Sequence, residues 1–275
     1  MGSATMDPVE IGKRYDESSP VSGTFNAGQA HLAYWYGAHD DTTMVDAARR
    51  LTRKVADALG LRAGEHLLDA GCGPGAPALQ IAEETGARVT GISVSAFEVT
   101  EAGKRAAAHG LGDRVRFEYG DWMALSYPDG TFDAVMAVET LQCAPDLGVA
   151  LDEFHRVLRP GGRITVADYS SEDRMTDDEA EEFSATFGIN KPPRLAGWIA
   201  ALSGAGFVVE EYTQCGRRVF GMTAKYLDSA EGARDALVAK FGEDVMPGLR
   251  DGLAHFFAVG PERLGYAIVS ARKPG

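Results

Sequence analysis

Cysteine is scarce: the chain of 275 residues has three, Cys72, Cys143 and Cys215. None forms a CxxC pair, which argues against a disulfide framework or a cysteine zinc site and fits reduced thiols in a cytosol. Long apolar runs are missing as well. No stretch approaches the roughly 20 residues that a membrane-spanning helix needs. The N-terminal stretch MGSATMDPVE has neither a basic head nor an apolar segment, so no signal peptide is expected, and Met6 is a candidate start. Cations are outnumbered: 27 Lys and Arg against 40 Asp and Glu leave a formal charge of -13. That balance disfavours nucleic acid and anionic membranes as partners and leaves a small neutral or cationic molecule. His109, His155 and His255 fall on expected helices as surface residues without metal spacing such as HExxH, so no metal is expected.

What is present is a regular alternation. Hydrophobic residues make up 45% of the chain, enough for a sizeable core. Short apolar runs over 66–70, 88–92, 132–138 and 163–168, and the period-two alternation over 114–119, read as strands. Helical spacing fills 76–85, 95–109 and 146–158, the last stopped by Arg159-Pro160-Gly161-Gly162. Strands alternating with helices predict an α/β fold with a mostly parallel sheet covered on both faces. Residues 7–60 read as a helical lid. Its first helix starts at Asp7-Pro8 and ends near Asp16 to Pro20; its second runs over 42–59 with Val45, Ala48, Leu51, Val55 and Leu59 on one face. Late in the core, taken as 61–216, Lys191-Pro192-Pro193 precedes a helix through Leu202, and 207–213 is a strand. Residues 217–260 form an inserted helical cap, with Gly216 and Gly260 as candidate hinges, and the closing segment 261–275 holds the last strand at 266–271.

The chemistry gathers after the first strand, in Leu68-Asp69-Ala70-Gly71-Cys72-Gly73-Pro74-Gly75. Glycines there let a ligand approach the backbone, and the next helix presents free N–H groups. Spacing alone fits a dinucleotide fingerprint through Gly71, Gly73 and Ala76. Asp69 argues otherwise, because a carboxylate repels a pyrophosphate and welcomes an ammonium. A phosphate-free nucleoside with an amino acid head, S-adenosylmethionine, suits the loop better.

The segment LLDAGCGPGAPAL resembles motif I of the class I S-adenosylmethionine-dependent methyltransferases. The likeness continues through YGDWMALSYPDGTFDAVMAVETLQCAPD and RVLRPGGRITVADY. Small-molecule natural-product methyltransferases are similar, both sugar and macrolide O-methyltransferases and sterol and geranyl diphosphate C-methyltransferases. The resemblance implies a Rossmann-like single domain with a seven-stranded, mostly parallel sheet and S-adenosylmethionine as cofactor. It implies that Gly71, Gly73 and Gly75 line the methionine moiety, that Asp121 receives the adenine amine with Trp122 beside it, and that Glu139 sits beneath the cofactor. Many such enzymes place an acidic residue after the second strand to hold the ribose; here that position is Ser93. Glu98 stands where the natural-product group has a glutamine, so Ser93 and Glu98 are expected to share the ribose, with an exposed helix-face Glu98 as the alternative. His31-Leu32-Ala33-Tyr34-Trp35 matches the group's lid motif, which brings Tyr34 to the cofactor.

Related O-methyltransferases often carry His-His where this chain has Gln142 and Cys143. Glutamine is no general base near neutral pH, and Cys143 reads as a small apolar residue. Either the acceptor is intrinsically nucleophilic, a carbon or an amine, or another group removes the proton. His31, Gln142 and Asp168 are therefore the candidate catalytic residues. Tyr15, Phe25, Trp35, Phe220 and Tyr226 are the candidate wall of an apolar substrate pocket. A cyclase that keeps the fold and cofactor, a non-catalytic binding module and an NAD-dependent oxidoreductase remain as other readings.

Overall fold

Each apolar run becomes a strand of one sheet. The computed structural model describes residues 7–275, so the candidate start Met6 lies outside the described residues. The strands are β1 (His66–Ala70), β2 (Arg88–Ser93), β3 (Val115–Tyr119), β4 (Phe132–Val138), β5 (Leu158–Ser171), β6 (Val208–Gln214) and β7 (Leu264–Arg272). They lie in the order β3-β2-β1-β4-β5-β7-β6. The first five pair in parallel, while β7 runs antiparallel to both β5 and β6. Leu67, Leu68, Ala134, Val135, Ile164 and Val166 fill the sheet interior with almost no exposure, as parallel strands covered on both faces require.

Helices α1 (Pro8–Phe25) and α2 (Met44–Leu59) form the N-terminal part, and α3 (Ala76–Thr85), α4 (Ala96–Ala108) and α5 (Leu147–Val157) cross over between strands. After β5 come α6 (Asp177–Phe187) and α7 (Leu195–Gly204). The segment between β6 and β7 folds into α8 (Gly216–Val219), a short 3-10 turn, α9 (Thr223–Gly232), α10 (Arg234–Phe241) and α11 (Val245–Phe257). Among the described residues no helix is long and apolar enough to cross a membrane.

Three local expectations fail for identifiable reasons. Helix α1 does not end at Pro20 but continues to Phe25. An internal proline costs about 3 kcal/mol, and tertiary anchors offset it. Asp16 accepts hydrogen bonds from Ser95 Oγ (2.5 Å) and Phe97 N (3.1 Å) at the start of α4, and Ser19 Oγ donates to Glu98 (2.6 Å). Helix α6 was not expected at all, although Thr176 and Glu179 form a reciprocal capping box at its start. Gly216 is no hinge: a side chain there would come within 2.7 Å of the Gly265 backbone, so close packing pins it.

Strand order positions the site. The chain winds outward from β1 to β3, then returns to place β4 on the other side of β1. At such a reversal the turns leaving adjacent strands diverge, and a crevice opens at the carboxyl ends of β1 and β4.

Candidate cofactor and acceptor site

A cavity of about 260 Å³ occupies that crevice. Its floor is the turn after β1. Gly71 and Gly73 have φ of 83° and 50°, a region glycine enters without strain. The N–H groups of Gly71 and Cys72 both donate to Ile92 O at 2.9 Å, which ties the turn to β2. A Cβ on Gly71 would stand 2.2 Å from Thr140 Oγ1, and one on Gly73 would stand 2.7 Å from Ala30 Cβ. The third glycine departs from expectation. Gly75 does not line the cavity; its missing side chain lets α3 approach Ala102 (2.8 Å) and Phe117 (2.7 Å). Asp69 is buried just before the turn, and its Oδ2 has no partner.

Glu98 is only 4% exposed, which removes the surface alternative. Ser95 caps α4 and aims Glu98 inward. Ser93 Oγ donates to Glu98 Oε2 (2.7 Å) and Ser19 Oγ to Glu98 Oε1 (2.6 Å), so a lid residue that sequence reasoning missed joins the expected pair. Burial pushes the Glu98 carboxyl upward, with the serine hydroxyls opposing the shift. Asp121 does not reach the cavity wall; its Oδ1 accepts from Met123 N (2.8 Å) and closes a local turn. Trp122 does line the cavity, with its ring buried and its Nε1 unpaired.

Glu139 holds the floor and the lid together. Its backbone has φ of 51°, a left-handed conformation that costs a non-glycine residue about 1–3 kcal/mol. Oε1 accepts from Leu32 N (2.7 Å) and from the Tyr266 hydroxyl (3.0 Å), and Oε2 accepts from the Tyr169 hydroxyl (3.0 Å). The lid motif is thereby fixed, but its side chains turn elsewhere. His31 does not face the cavity. Its ring nitrogens pair with Leu32 O (2.7 Å) and Thr52 Oγ1 (2.9 Å), and burial lowers its pKa to about 4. Tyr34 lies away from the cavity, beneath the Lys54 ammonium (4.5 Å to the ring centroid).

Of the expected acceptor wall, only Tyr15 lines the cavity. Its hydroxyl lies 3.4 Å from Cys143 Sγ, and that thiol raises the tyrosine pKa. Trp35 instead donates to Thr42 O (2.9 Å) and stacks edge-on with Tyr226, whose hydroxyl accepts from Ala33 N (2.8 Å). Phe220 packs among Tyr169, Phe256 and Tyr266, and Phe25 packs against the core at the end of α1. These are lid and cap packing residues. The wall that replaces them is Tyr169, Phe187, Ile189 and Phe256, with Arg14 as a cation. Phe187 was overlooked with its helix; Tyr169 follows Asp168 directly and was legible as the next strand residue.

Gln142 lines the cavity, its Nε2 donating to Glu139 O (3.0 Å) and its Oε1 unpaired. Burial raises the Cys143 thiol, in keeping with an inert apolar residue. Asp168 turns away: its carboxylate accepts from Tyr169 N (2.8 Å) and Gln142 N (3.2 Å) and does not line this cavity.

The geometry is that of a nucleoside-binding α/β enzyme whose cavity has room beside an apolar wall. The sequence places it in a family. Residues 61–205 match the family model described as a methyltransferase domain. The chain is 35% identical over 270 residues to 27-O-demethylrifamycin SV methyltransferase of Amycolatopsis mediterranei, spanning 97% of this chain and 98% of that protein. It is 30% identical to methyltransferase GfsG of Streptomyces halstedii, across 96% and 94% of the two chains. The crystal structure of the cyclase SpnF superposes with a TM-score of 0.84 at 29% identity, covering 97% and 96% of the chains. The chain belongs to the methyltransferase domain family and has the class I Rossmann-like fold. It is an S-adenosylmethionine-dependent enzyme of the natural-product type. The residues present fit that cofactor: Gly71 and Gly73 line the cavity with bare backbone and Trp122 Nε1 stands there buried without a partner, whereas Asp69 does not line the cavity.

Three buried carboxyls predict how stability depends on pH. Burial pushes Asp69 and Glu139 up to about 8 and Asp168 up to about 7. Each is raised above its unfolded value, so the unfolded chain releases these protons first as pH rises. Their contribution is full below about pH 4 and is lost progressively up to about pH 8. Thermal melts of the cofactor-free protein are expected to show a melting temperature that falls between about pH 6 and about pH 8. S-adenosylhomocysteine should flatten the slope, since its ammonium favours ionised carboxyls. A cofactor-free profile that rises over this range would overturn the assignment.

Proposed function

We propose that the enzyme methylates a small, apolar secondary metabolite at carbon or nitrogen, without a side-chain base. Glu98 and Ser93 hold the ribose, Trp122 walls the adenine side, and Gly71 and Gly73 admit the methionine moiety against the backbone. Bound S-adenosylmethionine supplies a sulfonium-activated methyl group for in-line displacement. The protein contributes alignment and a dry pocket. One observation carries the choice of acceptor: the two carboxyls on the cavity wall, Glu98 and Glu139, are both already engaged by hydroxyl donors. Gln142 is an amide, Tyr15 and Cys143 hold their protons tightly, and both Glu139 oxygens accept from tyrosine hydroxyls. Tyr169, Phe187 and Phe256 supply ring faces able to stabilise positive charge developing on an alkene or amine.

Transfer to oxygen is the second reading, favoured by the 35% identity to 27-O-demethylrifamycin SV methyltransferase. Incubation with methyl-labelled cofactor and candidate metabolites, followed by NMR of the product, distinguishes them. The label is expected on carbon or nitrogen. A label on oxygen would overturn the proposal. A product without an added methyl would favour cyclisation.

A further inference from the structure

A second cavity of about 340 Å³ lies on the other side of Gln142 from the first. Its apolar wall includes Ala144, Leu147 and Trp198. The first cavity, at about 260 Å³, already contains the residues assigned to the cofactor. Pockets for one drug-sized ligand run to about 300–1,000 Å³, so the first cavity is small for a cofactor and a second molecule together. Gln142 and Tyr169 belong to both walls, which makes the two spaces neighbours.

One hydrogen-bond acceptor on the shared wall has no donor, and beside it stands a buried carboxyl held by backbone N–H groups alone. The Gln142 amide is anchored through Nε2, which leaves Oε1 buried and unpaired. Asp168 lines the second cavity at 1% exposure, with backbone N–H groups of Tyr169, Gln142 and Leu141 as its partners. Lys191 is the cation on the same wall, and its ammonium is engaged by Asp177 (3.0 Å) and Glu181 (3.7 Å). Asn190 donates its amide to Ala144 O (2.6 Å) and Leu141 O (3.4 Å). A buried acceptor without a donor is costly, and a ligand donor relieves that cost.

We propose that the second cavity seats the body of the methyl acceptor, an apolar framework bearing a hydroxyl or amine that donates to Gln142 Oε1 and the Asp168 carboxylate. The inference rests on the methyltransferase reading for the identity of the ligand, but the binding site is testable without turnover. Three probes differ only in the donor: naphthylmethylamine, naphthol and methylnaphthalene. Calorimetry with each, in the presence and absence of saturating S-adenosylhomocysteine, reads the cavity directly. The amine or the naphthol is expected to bind about tenfold more tightly than methylnaphthalene. Whichever leads identifies the donor as ammonium or hydroxyl.

Two variants fill the space. Leu147→Trp alters a half-buried position at the rim, and Ala144→Leu a buried one. Both should weaken the best probe at least about tenfold while leaving the Kd of S-adenosylhomocysteine within about twofold. If Ala144→Leu fails to fold, Leu147→Trp alone decides. Equal binding of all three probes, no probe binding by the wild type, or undiminished binding by Leu147→Trp would overturn the proposal. Failure of S-adenosylhomocysteine to bind the wild type would instead overturn the cofactor assignment; probe binding without it still reads this cavity.

Discussion

Glu98→Ala is expected to weaken S-adenosylhomocysteine binding by roughly a hundredfold. Hydrogen bonds to a charged partner contribute about 1.5–3 kcal/mol each, and two ribose hydroxyls on one carboxylate make a loss of about 3 kcal/mol or more, hence the hundredfold. The site is prepared for such a pair, because Ser93 and Ser19 already present hydroxyls to the two oxygens of Glu98. Glu98→Gln keeps the size and loses the charge, so an intermediate affinity is expected. The measurement is a calorimetric titration beside a thermal melt of the free protein. An unchanged Kd in a folded Glu98→Ala protein would show that the ribose is held elsewhere.

The second large effect is expected at Glu139. Glu139→Ala removes the acceptor for Leu32 N, the Tyr169 hydroxyl and the Tyr266 hydroxyl at once. Each buried donor left unpaired costs about 1–3 kcal/mol, although Tyr266 retains Ala167 O at 3.3 Å as an alternative. A net loss of about 3 kcal/mol corresponds to a melting temperature lower by roughly 6–12 °C. Activity should fall further than stability, because the Leu32 contact holds the lid segment to the cavity floor. Glu139→Gln keeps an acceptor and should recover most of the stability. Glu139→Gly relieves the positive φ but not the missing acceptor, so it should resemble the alanine variant in activity. A Glu139→Ala enzyme with wild-type melting and turnover would remove Glu139 from its positioning role.

Much of this was legible before any coordinates. The apolar runs from His66 to Asp168 gave the strands, because a parallel strand covered on both faces must be continuously apolar. Ser95 ahead of Glu98 marked a helix start, and its capping turn is what carries Glu98 inward. Legibility failed where a residue's neighbours come from distant segments. Trp35, Phe220 and Tyr226 read as pocket aromatics, yet Trp35 and Tyr226 pack the lid against the cap and Phe220 packs among Tyr169, Phe256 and Tyr266. His31 read as a candidate base, but its two nitrogens are consumed within the lid. Pro20 read as a helix end, and three anchors to α4 carry the helix past it.

The sequence by itself determined the alternation of strands and helices, the glycine turn, the cofactor class and the missing histidine pair. All of these are local patterns: periodicity, turn chemistry and residue identity act over a few neighbouring positions. Only the tertiary structure decided which glycines line the cavity and which do not. It also decided that Glu98 is buried, that Glu139 fastens the lid, and that Asp168 faces a second cavity rather than the first. Those outcomes depend on which chain segments meet at the reversal in strand order. A contact between residues a hundred positions apart is set by packing the whole sheet, which no local pattern encodes.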